Sequence, residues 1–379
     1  MTELPFIASA RRHADRTAIV AAEGTFTYQQ LLDATDAAAR RLLAARPDLG
    51  EGRVAFLVPP GWHHVVTQWA IWRAGGVAVP LALMHPPPEL DYVIGDSGAS
   101  IVVAHPSYEA VLRPLAEARG VRLISTTELV DAAGPQPSAL PAVAPERRAL
   151  IVYTSGTTGR PKGVVTSHAV IEAQAQALLH AWEWSRDDRI LHVLPLHHVH
   201  GILNVLFCAL RAGALCELMP RFDAEAVWER FAVGDLSLFM AVPTVYARLI
   251  QAWQAAPPER QAAFDAGGFW QRRAPAATPS IPLHPPAPAT RLTLAPDLQF
   301  TTVPVAGASH VTRHDGVKLR DKVYAFIGEG VPVAPLLQAI DGPTSAFAVV
   351  QRWSQTLPAT HALELLRWAW AEGLLCPAA

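Results

Sequence analysis

The sequence predicts an α/β protein of largely parallel sheets flanked by helices, followed by a small C-terminal α+β domain. Three observations carry this. From Thr17 to Leu249, short apolar runs of strand character alternate with longer stretches of helical periodicity. Glycine and proline punctuate the junctions between them. Beyond about Asp265 that alternation lapses, and a mixed strand and helix pattern resumes only from Leu298.

Taken in order, TAIVAAEGTFTYQQLLDATDAAARRLLAA reads as a hairpin turning at Glu23-Gly24 and an alanine-rich helix. RVAFLVPP is a buried strand, HHVVTQWAIWRAG a helix stopped by Gly75-Gly76, and VAVPL the next strand. In PELDYVIGDSGASIVVAH, Gly95 and Gly98 end a helix before the strand Ile101–Ala104. A proline-bearing segment from Pro135 to Pro145 leads into the strand RALIVYT. AVIEAQAQALLHAWEW follows as a helix and DRILHVLPL as a strand. ALCELM and LSLFMAV read as strands, DAEAVWERFAV and TVYARLIQAWQAA as helices. The segment 266–297 has seven prolines between Pro275 and Pro296 and no periodicity, so it reads as a linker. In residues 298–379, FTTVPVAG and KVYAFIG are strand-like, and three helix-like stretches follow. The last of them places Leu363, Leu366 and Trp370 on one stripe, expected to be core.

At 379 residues the chain is long enough for two or three domains, each with a core. With 51% apolar residues, 17% charged residues and a formal net charge of −2, no electrostatic field favours nucleic acid, and no basic recognition helix is present. A small-molecule ligand is the default. MTELPFIASARRHADR lacks the apolar core and cleavage site of a secretory signal. The longest apolar run, Gly201 to Met219, is interrupted by Asn204, Arg211 and Glu217, so no membrane span is expected. Cys208, Cys216 and Cys376 are odd in number and lack metal spacing, so neither disulfides nor zinc are expected and a cytoplasmic address fits.

The chemistry concentrates in ALIVYTSGTTGRPKGVVTSH, where a strand ending at Tyr153 runs into Thr154, Ser155, Gly156, Thr157, Thr158, Gly159, Arg160, Pro161, Lys162 and Gly163. Glycines let successive backbone N–H groups approach a ligand, while hydroxyls and one ammonium supply donors to anionic oxygens. It is not a Walker A loop, because Lys162 follows Pro161 and precedes Gly163, with no Ser or Thr after the lysine. YTSGTTGRPKGV instead resembles the phosphate-loop signature of the adenylate-forming enzymes: acyl-CoA synthetases, luciferases and peptide-synthetase adenylation domains. The resemblance implies the N-terminal part of that fold over residues 1–265. It also implies ATP-dependent activation of a small-molecule carboxylate to an acyl-adenylate, then transfer to the thiol of CoA, with Mg2+ as the metal cofactor. Thr154, Ser155, Gly156, Thr157, Thr158, Gly159 and Lys162 would wrap the β and γ phosphates.

Two more stretches carry the resemblance. LPLHHVHGILNVLF is similar to the family's Pro-x-x-His-x-x-Gly segment at the acyl pocket, with Pro195, His198 and Gly201 in those positions. His197, His198 and His200 do not share one strand face and have no Cys or acidic neighbour, so no metal site is expected there. FMAVPTVYARL resembles the turn lining the acyl pocket, with Ala241, Val242 and Pro243 at the turn. The doubled histidine of HHVHG is most like the malonyl-CoA synthetase branch. Such a substrate has a second carboxylate to satisfy, for which His198, His200 and Arg248 are candidates.

The family also uses a Tyr-Gly-x-Thr-Glu stretch for adenine and magnesium, an aspartate in a Thr-Gly-Asp turn for ribose, and a lysine from a C-terminal domain. None of the six tyrosines here precedes a glycine, and Gly95-Asp96 and Gly234-Asp235 lack the preceding threonine and come early. Besides Lys162, only Lys318 and Lys322 occur, both expected on the solvent face of a strand. No catalytic residue or Mg2+ ligand is therefore assigned. The expectation is a truncated synthetase of impaired turnover, in which a deletion or frame change joined an unrelated end. The alternatives are a noncatalytic remnant that binds phosphate weakly or serves as an interaction module, and one half of a split ligase completed by another chain.

Overall fold

The computed structural model describes residues 3–131, 139–154, 160–269, 286, 289–306, 311–319, 322–324, 326–327 and 331–378. The chain divides into two compact units, Met1–Arg272 and Arg273–Ala379.

The first unit opens with α1 (Pro5–Arg12), the hairpin β1 (Thr17–Ala21) and β2 (Gly24–Thr27), and α2 (Tyr28–Leu43). Then come β3 (Arg53–Leu57), α3 (Trp62–Arg73), β4 (Val77–Pro80), α4 (Pro87–Ser97), β5 (Ile101–Ala104), α5 (Pro106–Ala118) and β6 (Arg122–Ser125). After these follow β7 (Arg148–Thr154), β8 (Lys162–Ser167), α6 (His168–Ala181), β9 (Arg189–His192) and a π-helical segment, His200–Phe207, continuing into α7 (Cys208–Ala212). β10 (Leu215–Leu218), α8 (Ala224–Val233), β11 (Leu238–Phe239), α9 (Pro243–Ala255) and α10 (Pro258–Asp265) complete it.

Two sheets organise these elements. One has six strands in the order β6-β5-β3-β4-β7-β8, parallel except for the antiparallel β7–β8 pair. The other has five, β11-β9-β10-β1-β2, parallel except for the β1–β2 hairpin. β3, β4 and β5 are buried along nearly their whole length, as strands covered on both faces must be. The largest buried side chains include Trp69 and Trp72 of α3, a helix enclosed all round. Arg189 and Arg230 share Glu217 at 2.9 and 2.6 Å, tying β9, β10 and α8 together.

Local signals place the helix ends. The left-handed Gly98 (φ 61°) stops α4, whereas Gly95 lies inside that helix. At the start of α2 a reciprocal capping box forms: Thr27 Oγ1 accepts from Gln30 N at 3.2 Å and Gln30 Oε1 accepts from Thr27 N at 2.7 Å. Thr27→Ala should therefore destabilise the first unit by about 1 kcal/mol. A shift in urea midpoint worth only a few tenths of that would show the cap to be idle.

In the second unit, β12 (Arg291–Leu294) lies inside the segment read as linker and is the middle strand of a sheet with β18 (Thr344–Ser345) and β19 (Leu375–Pro377). The linker reading fails at these residues because only four alternating positions mark the strand among prolines. β13 (Gln299–Ala306), β14 (Val311–Leu319) and β15 (Lys322–Tyr324) form an antiparallel sheet, and β16 (Phe326–Ile327) pairs with β17 (Val331–Pro332). The helices are α11 (Val333–Gln338), α12 (Ala346–Trp353) and α13 (Ala359–Ala371). Their core holds Leu292, Val317, Trp353, Leu366 and Trp370. Leu363 is 40% exposed, so the buried stripe of α13 runs through Ala362, Leu365, Leu366, Ala369 and Trp370 instead. Lys318 is exposed on β14. Among the described residues no helix is long and apolar enough to cross a membrane.

Candidate functional site

Parallel strands present their carboxyl ends along one edge of a sheet, where α/β proteins place ligands. β7, parallel to β4, ends at Thr154, and the glycine- and hydroxyl-rich motif leaves from that edge. The motif is the connection of an antiparallel hairpin: Thr154 on β7 stands opposite Lys162, the first residue of β8. Lys162, expected within the loop, is thus the start of a strand. The β7 ladder fixes its backbone, while its side chain is exposed at the mouth with Thr154. Ser155, Gly156, Thr157, Thr158 and Gly159 lie outside the described residues.

Both stems of the hairpin meet α4, a contact the motif alone does not reveal. Tyr153 Oη donates to Asp96 Oδ2 at 2.6 Å, and Tyr92 Oη donates to the Pro161 carbonyl at 3.1 Å. The Arg160 guanidinium lies 5.8 Å from the Tyr92 ring centroid. Gly163 leaves no room for a side chain, since a Cβ there would stand 2.9 Å from Ile151 Cγ2 and 3.1 Å from Tyr153 Cζ.

The histidine segment follows β9. β11 pairs with β9 in parallel register (Leu238 with Ile190, Phe239 with Leu191), so residues 193–198 and 240–243 leave the same edge of the five-stranded sheet. This brings the two sequence-predicted halves of the acyl pocket to one edge. Gly201 is required: a Cβ would collide with the Pro195 carbonyl oxygen. Beneath it, His192 Nε2 donates to the Gly201 carbonyl at 2.9 Å, which leaves Nδ1 as a buried acceptor with no hydrogen-bond donor among the described residues. The His197 and His198 rings lie 4.2 Å apart, and His85, beyond the end of β4, approaches His197 at 6.4 Å. His85 thus brings a ring from the end of the six-stranded sheet near the histidines that follow β9. His200 pairs with Asn204 at 3.2 Å, and Asn204 accepts from Gln174 of α6 at 2.6 Å. Ala241 is half-buried, Val242 is exposed, Pro243 starts α9, and Arg248 is exposed on that helix.

Electrostatics redistributes the expected roles. Burial, with His198 and His85 nearby, pushes the His197 imidazolium down to about 4, and burial and His85 lower His198 as well. These rings are neutral hydrogen-bonding groups at neutral pH rather than the cations a second carboxylate calls for. Among the candidates for that charge, Arg248 alone is a permanent cation. Among the described residues no three His, Cys, Asp or Glu side chains are arranged to hold a metal ion, and Asp96 at the hairpin base is engaged by Tyr153. The described groups do not make a Mg2+ site.

The fold and the motif define an adenylate-forming type of α/β protein. The family model for AMP-binding enzymes matches residues 6–324, and the chain belongs to that family. That match runs beyond residue 265, where the recognisable motifs end, to Tyr324. Among curated proteins, the chain is similar to the mitochondrial malonate–CoA ligase ACSF3 of Homo sapiens, 43% identical over 260 residues, covering 65% of this chain and 45% of the relative. The chain thus spans less than half the length of that relative. A cytoplasmic address draws no support from it. Among solved structures, ATP-bound MatB from Rhodopseudomonas palustris is similar with a TM-score of 0.60 and 29% identity, covering 69% of this chain and 54% of that one. The o-succinylbenzoate CoA synthetase MenE from Bacillus subtilis, in complex with an acyl-adenylate, has a TM-score of 0.61 and 26% identity, covering 68% and 66%.

Proposed function

We propose that this chain carries the phosphate-binding and acid-binding part of an acid–thiol ligase that activates a small dicarboxylate of the malonate type with ATP. The observation that carries the reading is the YTSGTTGRPKG hairpin, with Thr154 and Lys162 fixed opposite each other at its base. Lys162, Thr154 and the motif's other donors, Ser155, Gly156, Thr157, Thr158 and Gly159, hold the β and γ phosphates. Neutral His198, together with His200, Gly201, Ala241, Val242 and Pro243, lines the acid. Arg248 meets its distal carboxylate. Malonate is favoured by the identity shared with the human malonate–CoA ligase. CoA is the thiol the family reading supplies, and no residue described here is assigned to it.

Pyrophosphate release from ATP with malonate tests this. Lys162→Ala should lower the rate about 10²–10³-fold, the effect of removing one preorganised electrostatic group. No release at high protein concentration would overturn catalysis by this chain alone and leave a noncatalytic phosphate-binding module or one half of a split ligase. A second reading, in which another chain completes the ligase, is favoured by the edge strand β8, whose Val164 and Val165 are each 51% exposed. In that case release appears only on mixing with a polypeptide that carries the adenine and ribose elements.

A further inference from the structure

α4 is separated from the motif by more than fifty residues, yet it touches both of its ends. Tyr92 and Asp96 are four apart, so they share one face of the helix. That face receives Tyr153, the residue before Thr154, through Asp96. It receives the other stem through Tyr92, which bonds the Pro161 carbonyl while its ring lies beneath Arg160. The Tyr92 and Tyr153 rings meet edge to face, 6.4 Å apart at 83°. Tyr153 also packs on Gly163, directly after Lys162, so this one side chain bears on both strands of the hairpin.

A bare sheet edge would not supply this. Among the described residues β8 is an edge strand with exposed valines whose ladder bonds go to β7 alone. Without α4, the ends of the motif would rest on the terminal rungs of one two-stranded ladder, where fraying begins. The phenol contacts hold those rungs from the side. Burial and the Asp96 carboxylate raise the Tyr153 phenol well above its ordinary value, so it remains a neutral donor throughout the working pH range.

We propose that Tyr92, Asp96 and Tyr153 are positioning residues that fix Thr154 and Lys162 before nucleotide arrives, so that ATP binding is not opposed by ordering the two stems. The inference rests on the reading of the hairpin as the ATP-phosphate site. The cause is preorganisation: donors already in place bind an anion more tightly than donors that must be ordered on binding.

The test compares ATP affinity, by calorimetry on the full chain, with urea midpoint for Asp96→Ala, Asp96→Asn, Tyr153→Phe and Tyr92→Phe. Tyr153→Phe and Asp96→Ala should each weaken ATP binding about tenfold, the scale of one charge-assisted hydrogen bond. Their double variant should be no weaker than either, because both remove the same bond. Asp96→Asn keeps an acceptor and should restore affinity to within about threefold. Tyr92→Phe keeps ring and cation contact and should lose less, about threefold. Affinity changes that only track the urea midpoints, or an Asn variant as weak as the Ala variant, would overturn the positioning role. So would unchanged affinity in every variant of a chain that binds ATP. Absence of ATP binding by the parent chain would instead bring down the phosphate reading, and this proposal with it.

Discussion

Below pH 6.5 the first unit should lose stability steeply, because three buried histidines fold in the neutral state. His64, His168 and His192 are 2%, 6% and 0% exposed, and burial is the leading cause that pushes each down to about 4. Hydrogen bonding fixes two of the tautomers. His64 Nδ1 donates to the Val58 carbonyl and His192 Nε2 to Gly201, and among the described residues no side-chain or backbone partner faces the buried His64 Nε2 or His192 Nδ1. His168 stands near the Arg147 cation, which opposes a second positive charge. The folded values lie below the unfolded value of about 6.5, so between the two the unfolded chain takes up protons that the folded chain refuses. Their stabilisation is complete above pH 6.5 and is lost as pH falls towards about 4, where the slope levels off. Each group contributes up to about 1.4 kcal/mol per pH unit, so the three together reach about 4 kcal/mol per unit. Urea midpoints at pH 7.5, 6 and 5 measure it, and because His197 is pushed down to about 4 as well, His168→Gln should remove about a quarter of the slope. A flat profile over this range would refute the burial argument. Because His192 supports Gly201, acid should also loosen the turn that carries His197 and His198.

Where the chain's own pattern dictates local structure, the sequence is a sufficient guide. The parallel α/β class follows from continuous apolar runs such as Val54–Leu57 and Ile101–Ala104, and these are fully buried strands. The order of residues in YTSGTTGRPKG identifies the family. What escapes sequence reading depends on distant partners. β8 is hidden in the sequence because an edge strand with exposed Val164 and Val165 carries no in-out alternation. α5 is obscured by Pro114, inside a helix that nonetheless forms. The α4 contacts with the hairpin span 57 and 69 residues, beyond any periodic signal. The charge of His198 is likewise set by burial and by His85, over a hundred residues away. A motif names the atoms that bind, and the packing around it decides their charge and position.

Trp72→Ala should be among the most damaging single substitutions in the first unit. Trp72 is fully buried on α3, with edge-to-face contacts to Phe6 at 5.5 Å, Phe207 at 5.8 Å and His168 at 5.9 Å. Its indole N–H donates to the Ala149 carbonyl at 2.7 Å. That carbonyl belongs to β7, at the point where the register with β8 shifts between Arg148 and Leu150. The indole therefore both fills the core and satisfies a backbone group at an irregularity in the strand that delivers Thr154 to the site. Truncation to Ala removes the ring and opens a cavity, at a cost of about 3–5 kcal/mol. Trp72→Phe keeps most of the packing but leaves the Ala149 carbonyl without its indole partner, at a cost of about 1–3 kcal/mol. Urea unfolding followed by far-UV circular dichroism separates the two. If Phe costs as much as Ala, the hydrogen bond rather than the volume dominates. If both cost less than about 1 kcal/mol, Trp72 is not the anchor of β7. Hydrogen exchange gives the local readout: amides of β7 and β8 should exchange faster in Trp72→Phe, while those of β9 and β10 in the other sheet remain as protected as before.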